Sequence, residues 1–464
     1  MDGAVEQAAG AALEGGAVPT PAEPAPGARH GPAPEPDQGP LRRSLLPMTA
    51  SVAPGGRLSI GGVDVLDLAE RHGTPLFVYD EAHLRARCRE AVGAWGEGVA
   101  YATKAFLCLE MARIAHDAGM WLDVSTGGEL HVALRAGVPA ARIVMHGNNK
   151  SEAELARALD AGAGRIVVDS FDEIDRLTRL VSGRGLTAPR PAVLVRVTPG
   201  VEAHTHEFVR TGQEDSKFGF GLASGAAQEA VARLRALAAV EVAGIHAHIG
   251  SQVFRVESFA EEVGALAEFF VPLGLPELCV GGGLGVPYVA AERAPTITEW
   301  AEAVHSACRR AGVPAGTRVT AEPGRSIVAG AAVTLYRIGT IKDIPGVRTY
   351  VAVDGGMSDN PRPVLYGSGY ETFLPRAVDA VRPCAARVVG KHCESGDVVV
   401  GDARLPVDAG VGDILATPVT GAYGYSMASN YNKVPRPAVV FVADGRDRVV
   451  VRRETDEDLV RLDV

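Results

Sequence analysis

The strongest constraint on the fold is a repeating order of apolar runs and helix-like segments between residues 98 and 326. Eight β-type runs recur there: GVAYATK, WLDVST, RIVMHG, RIVVDS, AVLVRVT, VAGIHAHIGS, ELCVGGG and RVTAEPGRS. Most neighbouring runs are separated by a segment of helical periodicity, such as SEAELARALDAGAG. Apolar strands that alternate with helices indicate a parallel sheet covered on both faces. Eight such units over roughly 250 residues predict an α/β fold with a closed (β/α)8 barrel, and a doubly wound open sheet is the alternative.

The regions on either side of these units have a different character. After about residue 330, stretches such as AVVFVADGRDRVVVRRE alternate apolar and polar residues between Gly, Asp and Pro turns, which is typical of an all-β domain. We therefore predict a barrel over residues 79–330 and a C-terminal β domain over residues 331–464, which residues 57–78 join. Residues 1–42 are dominated by Ala, Gly, Pro and acidic residues, and we expect a disordered tail there.

Charge and cysteine content exclude several classes of function. A net charge of −10 with both signs interspersed provides no basic stripe for nucleic acid. No apolar run approaches the roughly 20 residues that cross a bilayer, and the N-terminus lacks the features of a signal peptide. The six cysteines are scattered without a CxxC pair, which indicates reduced thiols. We therefore predict a cytoplasmic protein that binds neither nucleic acid nor membrane.

Polar residues cluster where the predicted strands end. Barrels of this kind have their active sites at the C-terminal ends of the strands, so these side chains should meet at one mouth. The candidates are Lys104, Asp123, His146, Asn148, His248, Ser251, Gly281, Gly282, Gly283, Glu322 and Arg325.

Two of these candidates are a lysine in an apolar run and a cluster of glycines. Lys104 lies in the apolar run VAYATKAFL, where an ammonium costs several kcal/mol unless it is paired or chemically altered. A lysine that extends to the surface is the alternative. The GGGLG stretch can present backbone N–H groups to an anion such as a phosphate, although a simple turn is the alternative.

The HAHIGSQ motif places His246 and His248 on the same face of a strand. Zinc binding is one interpretation, but no third ligand occurs at a characteristic spacing. We therefore predict no metal, and a ring that stacks on a planar cofactor suits His248 better.

Two further motifs combine charge or a thiol with a turn. Glu322 and Arg325 lie on either side of the Pro-Gly turn in AEPGRS, where a structural ion pair is the alternative to a functional site. Cys393 lies beside Glu394 and Asp397 in KHCESGD, and burial as a small hydrophobic side chain is the alternative for this cysteine.

Taken together, the motifs resemble one family. YATKA, HGNNK, EAHTHEFVRTGQEDSKFGFG, HIGSQ, GGGLG, EPGR, GGMSDNPRPVLY, KHCESGD and GAYGYSMASNYN occur in the order and spacing of the diaminopimelate decarboxylases. These are barrel-type, fold type III pyridoxal phosphate enzymes related to alanine racemase. The resemblance covers roughly residues 57–464 and excludes the tail.

The resemblance implies a cofactor and the residues that hold it. Lys104 resembles the Schiff-base lysine, which would explain an ammonium in an apolar run. Glu322 resembles the carboxylate that bonds the pyridine nitrogen, and His248 the residue that stacks on the ring. The full cofactor-binding set that the resemblance implies is Lys104, Asp123, His248, Ser251, Gly281, Gly282, Gly283, Glu322 and Tyr423.

The resemblance also implies how the substrate is bound. The groups similar to those that bind it are Arg325, Arg362, Tyr366, Glu394 and Tyr423. Two arginines match a carboxylate at the distal end of a small amino acid. Cys393 resembles a catalytic proton donor that acts together with Lys104. In this family the Cys-Glu pair comes from the other subunit, which implies a homodimer with shared sites.

The activity that follows from the resemblance is decarboxylation of meso-2,6-diaminopimelate at its D-centre to L-lysine and CO2, the last step of lysine biosynthesis. Three alternatives stay open: a decarboxylase of another basic amino acid of the D-ornithine or D-lysine type, a racemase, and a non-catalytic cofactor-binding relative. Arg325 and Arg362 bear on the first, because a diamine-type substrate leaves them unmatched. Glu322 disfavours the second, since related racemases use an arginine there. Intact Lys104 and Cys393 argue against the third.

Overall fold

The computed structural model describes residues 39–183, 190–200 and 216–464 of the chain. The predicted tail, residues 1–42, therefore lies outside the described residues except for its last four. There Leu41 is 3% exposed and packs in the hydrophobic core, and the carbonyl of Gly39 accepts a hydrogen bond from Nε of Arg382 at 2.9 Å. Residues 39–42 of the predicted tail are therefore part of the fold, because Leu41 is large and apolar enough to be buried.

The predicted barrel lies before the β domain, between residues 81 and 328. The elements before it are β1 (Ser51–Val52), β2 (Leu58–Ile60), β3 (Val63–Asp64), α1 (Val65–His72) and β4 (Leu76–Asp80). The barrel region comprises α2 (Glu81–Trp95), β5 (Ala100–Ala102), α3 (Leu109–Asp117), β6 (Trp121–Val124), α4 (Gly127–Arg135), β7 (Ile143–Met145), α5 (Glu152–Ala161), β8 (Arg165–Val168), α6 (Phe171–Ser182), β9 (Ala192–Thr198), β10 (Phe220–Gly221), α7 (Ala226–Ala236), β11 (Glu241–Ala247), α8 (Val256–Leu273), β12 (Glu277–Cys279), α9 (Ile297–Arg310), β13 (Arg318–Thr320) and α10 (Arg325–Val328). Each of the eight predicted runs contains one strand.

The eight strands form a closed ring. Their order is β5, β6, β7, β8, β9, β11, β12, β13, all parallel, and β10 pairs beside β9. The ring closes between its first and last members, where Ala100 N donates to Ala321 O at 3.0 Å and Ala102 N donates to Pro323 O at 3.1 Å. The closed barrel is therefore confirmed, and the open-sheet alternative is wrong.

The ring of helices around the barrel begins before the first strand. After β13 only the four-residue α10 follows before the chain leaves the barrel, so it cannot cover that side. Instead α2, which precedes β5, packs against α3 and α9 and fills the position of an eighth helix. No described helix combines the length and the apolar composition needed to span a membrane.

The ends of α5 show how the sequence encodes a helix locally. Ser151 and Glu154 form a capping box, in which each side chain accepts a hydrogen bond from the backbone N–H of the other. The helix ends at Gly162, whose φ of +78° is a left-handed conformation that glycine adopts without a steric penalty. The SEAELARALDAGAG segment thus contains its own start and stop.

The barrel interior has an apolar floor and a polar layer above it. The floor takes one buried side chain from each of seven strands: Ala100, Trp121, Val144, Val167, Leu194, Ala243 and Cys279. Because side chains alternate across a strand, the residues nearer the strand ends face inward again. This second layer is polar and contains Asp123, His146, Asp169, Arg196, His246 and Glu322.

A β-bulge in β11 brings its histidines into this layer. The register of β11 against β9 shifts just before Gly244, and beyond the shift His246 lies opposite Arg196. A side chain at Gly244 would overlap the carbonyl of Glu277, so the bulge requires glycine. His246 and His248 therefore share the inward face, as their two-residue spacing predicts.

The C-terminal third is a β domain. Its elements are β14 (Ala332–Ile344), β15 (Arg348–Val353), α11 (Arg362–Tyr366), β16 (Cys384–Val389), β17 (Val398–Leu405), β18 (Ile414–Pro418), β19 (Ala438–Ala443), β20 (Arg446–Val451) and α12 (Asp456–Val460). The strand order is β17, β16, β15, β14, β4, β19, β20, with β18 also paired to β14. Strand β4 lies between β14 and β19, so the chain contributes to this sheet before it enters the barrel.

Helix α8 contains a buried carboxylate. Glu262 is 0% exposed, and neither of its carboxylate oxygens has a hydrogen-bond partner among the described residues. Burial therefore raises the pKa of Glu262 well above its ordinary value. The folded protein holds this proton at pH values where the unfolded chain has released it.

We predict that Glu262→Gln makes the protein less sensitive to alkaline pH. Between the unfolded and the folded pKa of Glu262, the wild-type free energy of unfolding should fall relative to the variant by about 1.4 kcal/mol per pH unit, because proton uptake accompanies folding. Urea unfolding followed by tryptophan fluorescence from about pH 5 to about pH 8 measures the difference. The control is Glu261→Gln, at the exposed neighbouring position. Parallel pH profiles for wild type and Glu262→Gln would contradict the prediction.

Candidate active site

Lys104 lies at the barrel mouth, on the single 3-10 turn Thr103–Ala105 that follows β5. Its side chain is exposed, because the turn carries the lysine out of the apolar strand. The hydroxyl of Thr103 donates to the carbonyl of Asp123 at 2.8 Å and fixes this turn against β6. The ammonium lies close enough to His248 to add to burial in lowering the pKa of that imidazole well below its usual value.

A loop of the β domain is attached to the same turn. Tyr423 N donates to the carbonyl of Ala105 at 2.9 Å, and the hydroxyl of Ser426 donates to the same carbonyl at 3.1 Å. The φ of Tyr423 is +59°, a left-handed conformation that costs a non-glycine residue about 1–2 kcal/mol. The backbone is therefore held in this conformation by its surroundings, which places Tyr423 beside Lys104.

A buried cluster of one carboxylate and two imidazoles lies in the polar layer. Glu322 Oε1 is 2.7 Å from Nε2 of His146, and Glu322 Oε2 is 2.9 Å from Nε2 of His246. The three groups form a two-histidine, one-carboxylate set within 4.8 Å. It differs from the His246–His248 pair considered from the sequence, and hydrogen bonds to both carboxylate oxygens account for its geometry.

The cluster sets the charges of its members. Burial raises the pKa of Glu322, but the two histidines outweigh burial and hold that pKa well below its usual range. Burial lowers the pKa of His246 to about 4, so its ring is neutral at pH 7. Burial also lowers the pKa of His146, but Asp123 and Glu322 reverse the effect and raise it overall. Burial raises the pKa of Asp123 to about 6.

The HGNNK turn that carries His146 is fixed by a buried ion pair. The ammonium of Lys150 lies 2.8 Å from the carboxylate of Glu173, and both side chains are 1% exposed. The same ammonium donates to the carbonyls of Gly147 and Val167, at 2.5 Å and 2.7 Å. These bonds join the ends of β7 and β8, while the neighbouring Asn148 is half-buried.

The three glycines after β12 lie between the ends of β11 and β13. A side chain at Gly282 would overlap the carbonyl of Glu322, and one at Gly283 would overlap the carbonyl of Gly250. Gly281 and Gly283 also have positive φ angles, of +64° and +112°. Gly282 N donates to Nδ1 of His248 at 3.2 Å, so the imidazole and the glycine turn are placed together.

Arg325 connects Ser251, which follows β11, to the side chains of Tyr288 and Tyr423. Its guanidinium donates to the hydroxyl of Ser251 at 2.8 Å and to the hydroxyl of Tyr288 at 2.7 Å. The guanidinium carbon also lies 4.7 Å from the ring centroid of Tyr423. Arg325 does not form the structural ion pair with Glu322 considered from the sequence, since that carboxylate faces the two histidines.

Arg362 reaches the same two tyrosines from the β domain. It is 4% exposed and donates to the hydroxyls of Tyr370 and Ser368, each at 2.9 Å. Its guanidinium carbon lies 4.7 Å from the ring centroid of Tyr288 and 5.9 Å from that of Tyr423. Two arginines distant in sequence thus share two tyrosines at the mouth.

The other predicted substrate-binding residues are placed differently. Tyr366 is 41% exposed, with the Arg362 guanidinium 5.9 Å from its ring centroid. Cys393 and Glu394 are exposed on the loop between β16 and β17, so burial does not explain this cysteine. Asn432 Oδ1 accepts from Cys393 N at 3.3 Å, and among the described residues neither side chain hydrogen-bonds the barrel.

Four residues of the mouth were missed from the sequence. Arg196 and Lys150 belong to its buried charges, and Tyr288 and Tyr370 bind the two arginines. Arg196 interrupts the apolar run AVLVRVT as Lys104 interrupts its own, and this pattern could have found it. Tyr288 lies in a loop with no comparable pattern. Most of the EAHTHEFVRTGQEDSKFGFG motif lies outside the described residues, since residues 201–215 are not described.

The residues at the mouth fit a phosphorylated, planar cofactor of the pyridoxal type. The glycine turn is a cradle that any side chain would fill, and an imidazole is held against it. A buried, ionised carboxylate matches a protonated ring nitrogen, and an exposed lysine offers an amine at the same mouth. These are the donor types that such a cofactor requires.

Comparison with known proteins adds independent information. The family described as "Pyridoxal-dependent decarboxylase, pyridoxal binding domain" matches residues 81–329. A diaminopimelate decarboxylase of Mycobacterium tuberculosis is 47% identical over 429 residues, which cover 88% of this chain and 95% of the relative. A diaminopimelate decarboxylase of Halalkalibacterium halodurans is 46% identical over 433 residues, which cover 90% of this chain and 97% of the relative. A crystal structure of diaminopimelate decarboxylase from M. jannaschii in co-complex with L-lysine is similar with a TM-score of 0.83, at 33% identity, covering 90% of this chain and 98% of that chain.

We predict that Gly283→Ala destabilises the protein. Its added methyl group would overlap a backbone carbonyl, and its φ of +112° is unfavourable for alanine. The free energy of unfolding should therefore fall by about 1–3 kcal/mol, as measured by urea unfolding. Gly264→Ala is the matched control: it lies in α8 with no atom within 4 Å of the added methyl group, and alanine there should stabilise the helix. Equal stability of Gly283→Ala and wild type would show that the turn does not require glycine.

Proposed function

Because this chain belongs to the pyridoxal-dependent decarboxylases and, within them, to the diaminopimelate decarboxylases, we propose how the residues of its barrel mouth decarboxylate meso-2,6-diaminopimelate. The chain removes the carboxylate at the D-centre of meso-2,6-diaminopimelate and releases L-lysine and CO2, in the last step of lysine biosynthesis. The observation that carries this assignment is the pair Arg325 and Arg362 around shared tyrosines, at the same mouth as Lys104. A distal carboxylate of the substrate matches such a pair.

Pyridoxal phosphate, when bound, supplies an electron-accepting ring that stabilises the carbanion left when CO2 departs. We assign Lys104 to its covalent attachment, Glu322 to the ring nitrogen and His248 to the face of the ring, with Asp123 beside them in the polar layer. We assign binding of the phosphate group to Gly281–Gly283, Ser251 and Tyr423. The backbone N–H groups of a glycine turn suit an anion.

We assign to Lys104 the transfer of protons at the barrel mouth. Its side chain is exposed at the mouth, on the turn that follows β5, where its amine would be available to give or take a proton. The buried groups behind it keep opposite charges in fixed places: Glu322 is ionised, and two carboxylates favour the cationic form of His146. The lysine is therefore exposed at the mouth, while the charges behind it are preorganised.

Recognition of the distal end decides which carboxylate leaves. We assign Arg325, Arg362 and Tyr366 to the L-centre of the substrate, with Tyr423 between the two arginines. A substrate held at its far end can present only one of its two centres to the reacting position, so remote binding energy sets stereospecificity. A substrate without the distal carboxylate would leave two buried guanidinium groups unmatched, which disfavours D-ornithine or D-lysine.

Cys393 and Glu394 are the remaining residues to which we assign a role at the site. Both are exposed in this chain, and the described residues show no hydrogen bond from either side chain to the barrel. We therefore propose a homodimer in which each copy contributes Cys393 as a proton donor, and Glu394 as partner of the distal ammonium, to the mouth of the other. All six cysteines are free thiols, which supports a reducing, cytoplasmic location.

The direct test is formation of L-lysine from meso-diaminopimelate by the purified protein, with and without pyridoxal phosphate. We expect cofactor-dependent lysine from wild type and none from Lys104→Ala. Arg142→Ala, which removes a partly exposed charge before β7, is a control that should retain activity. Absence of lysine from wild type that still binds the cofactor would move the function to another amino acid or to a non-catalytic role. Wild-type activity in Lys104→Ala would overturn the assignment of the lysine.

Shared sites are tested with mixed dimers. Lys104→Ala and Cys393→Ala should each be inactive or nearly so, because each disables both sites of its own dimer. After the two proteins are mixed and allowed to exchange subunits, activity should return, since one site of the mixed dimer then carries neither change. Cys384→Ala, which changes the other exposed thiol, is the control and should remain active alone. Failure of activity to return although exchange is verified with tagged subunits would contradict the shared site.

A further inference from the structure

The carboxylate of Glu322 has a separate histidine for each of its oxygens. The Nε2–oxygen distances of 2.7 Å to His146 and 2.9 Å to His246 are those of hydrogen bonds. The two imidazoles lie edge to face, with ring centroids 4.8 Å apart. The three side chains are 2–7% exposed, so water does not compete for these bonds.

The carboxylate determines where the protons of these imidazoles are. An ionised carboxylate only accepts hydrogen bonds, so both Nε2 atoms must carry hydrogen. For the neutral ring of His246 this leaves Nδ1 without a proton, and this atom has no hydrogen-bond partner among the described residues. His146 also lies 3.8 Å from Oδ1 of Asp123, so two carboxylates favour its cationic form. The pair thus consists of one neutral and one positively charged donor.

We propose that His146 and His246 are positioning residues that keep Glu322 ionised and in one orientation toward the ring nitrogen of the bound cofactor. This inference rests on the proposed function and extends it to two residues for which the sequence offered no such role. A buried carboxylate without donors tends to take up a proton. Glutamic acid in that form would donate to the ring nitrogen instead of leaving the nitrogen its own proton. With both oxygens already accepting, Glu322 is a weak base, and the proton stays on the ring.

Other charged or titratable groups surround the carboxylate but do not replace these donors. Those whose charge interacts with Glu322 come from the surrounding strands and are Asp123, His146, Arg196, His246, His248 and Cys279. Among the described residues only His146 and His246 hydrogen-bond the Glu322 side chain. Arg196 is directed to Asp169, 3.4 Å away, and Gly282 N donates to His248. The effect should therefore be confined to the two histidines.

Two substitutions at each position separate a donor from a filled volume. Leucine removes the N–H donor from His146 or His246 and keeps an apolar side chain of similar size. Glutamine keeps an N–H donor close to the position of the imidazole Nε2. His131→Leu, at an exposed position on α4, is the matched control for a histidine-to-leucine change. All variants are studied as holoenzymes with the cofactor content verified.

The decisive readout is the protonation of the ring nitrogen, measured by solid-state ¹⁵N NMR with ¹⁵N-labelled pyridoxal phosphate. Wild type, His131→Leu and both glutamine variants should show a protonated nitrogen, and the leucine variants should shift toward the unprotonated signal. The kcat of each leucine variant should fall about tenfold to hundredfold with little change in KM, because a hydrogen bond to a charged group is lost. Glutamine variants should recover most of this loss.

The outcomes separate this inference from the proposed function. If wild type forms no lysine, the proposed function fails whatever the histidines do. If wild type is active and the leucine variants keep both a protonated ring nitrogen and wild-type kcat, the inference alone is overturned. It is also overturned if glutamine is as damaging as leucine, since the shape of the ring would then matter and not the donor. Should a leucine variant fail to fold, the same ¹⁵N measurement on the two glutamine variants still tests the expected protonated signal.

Discussion

Closure of the barrel between β5 and β13 is the constraint on which the site depends. The two hydrogen bonds that join these strands place the turn of Lys104 beside the segment that carries Glu322. A side chain at Gly324 would overlap the Ala102 side chain and approach its carbonyl, so the glycine of EPGR is what allows this approach. Without closure, the first and last strands would lie at opposite edges of a sheet, and lysine and glutamate could not share one mouth.

Within the closed ring, strand periodicity separates stability from chemistry. The apolar floor is built from buried side chains that carry no charge. At the next inward-facing positions toward the strand ends, the same face carries carboxylates, imidazoles and Arg196. Because this layer is removed from water, its charges must satisfy one another, and they do so as Glu322 with two histidines and as Arg196 with Asp169. The polar layer therefore holds fixed charges behind an exposed lysine.

The β domain is part of the same site and not an appendage. Its sheet includes β4, which precedes the barrel in the sequence, as well as strands that follow the barrel. The chain therefore passes through the β domain both before and after it forms the barrel. The β domain delivers Tyr423 to the turn of Lys104 and Arg362 to the ring of Tyr288. The loop of Cys393 is the exception, because Cys393 and Glu394 are exposed there and neither side chain hydrogen-bonds the barrel among the described residues.

The eight strands, the helices between them and the polar residues at the strand ends could be predicted from the sequence, because strand and helix periodicity and capping residues are local properties. The sequence also pointed to the family through motifs spread along the chain. Three features required the folded chain: Lys104 is exposed on a turn, α2 takes the place of the eighth helix, and Glu322 faces His146 and His246 instead of Arg325. Tyr288 and Tyr370 likewise became visible only as partners of two arginines distant in sequence. Such contacts depend on how strands close, bulge and stagger, and no residue's immediate neighbours in the chain encode that geometry.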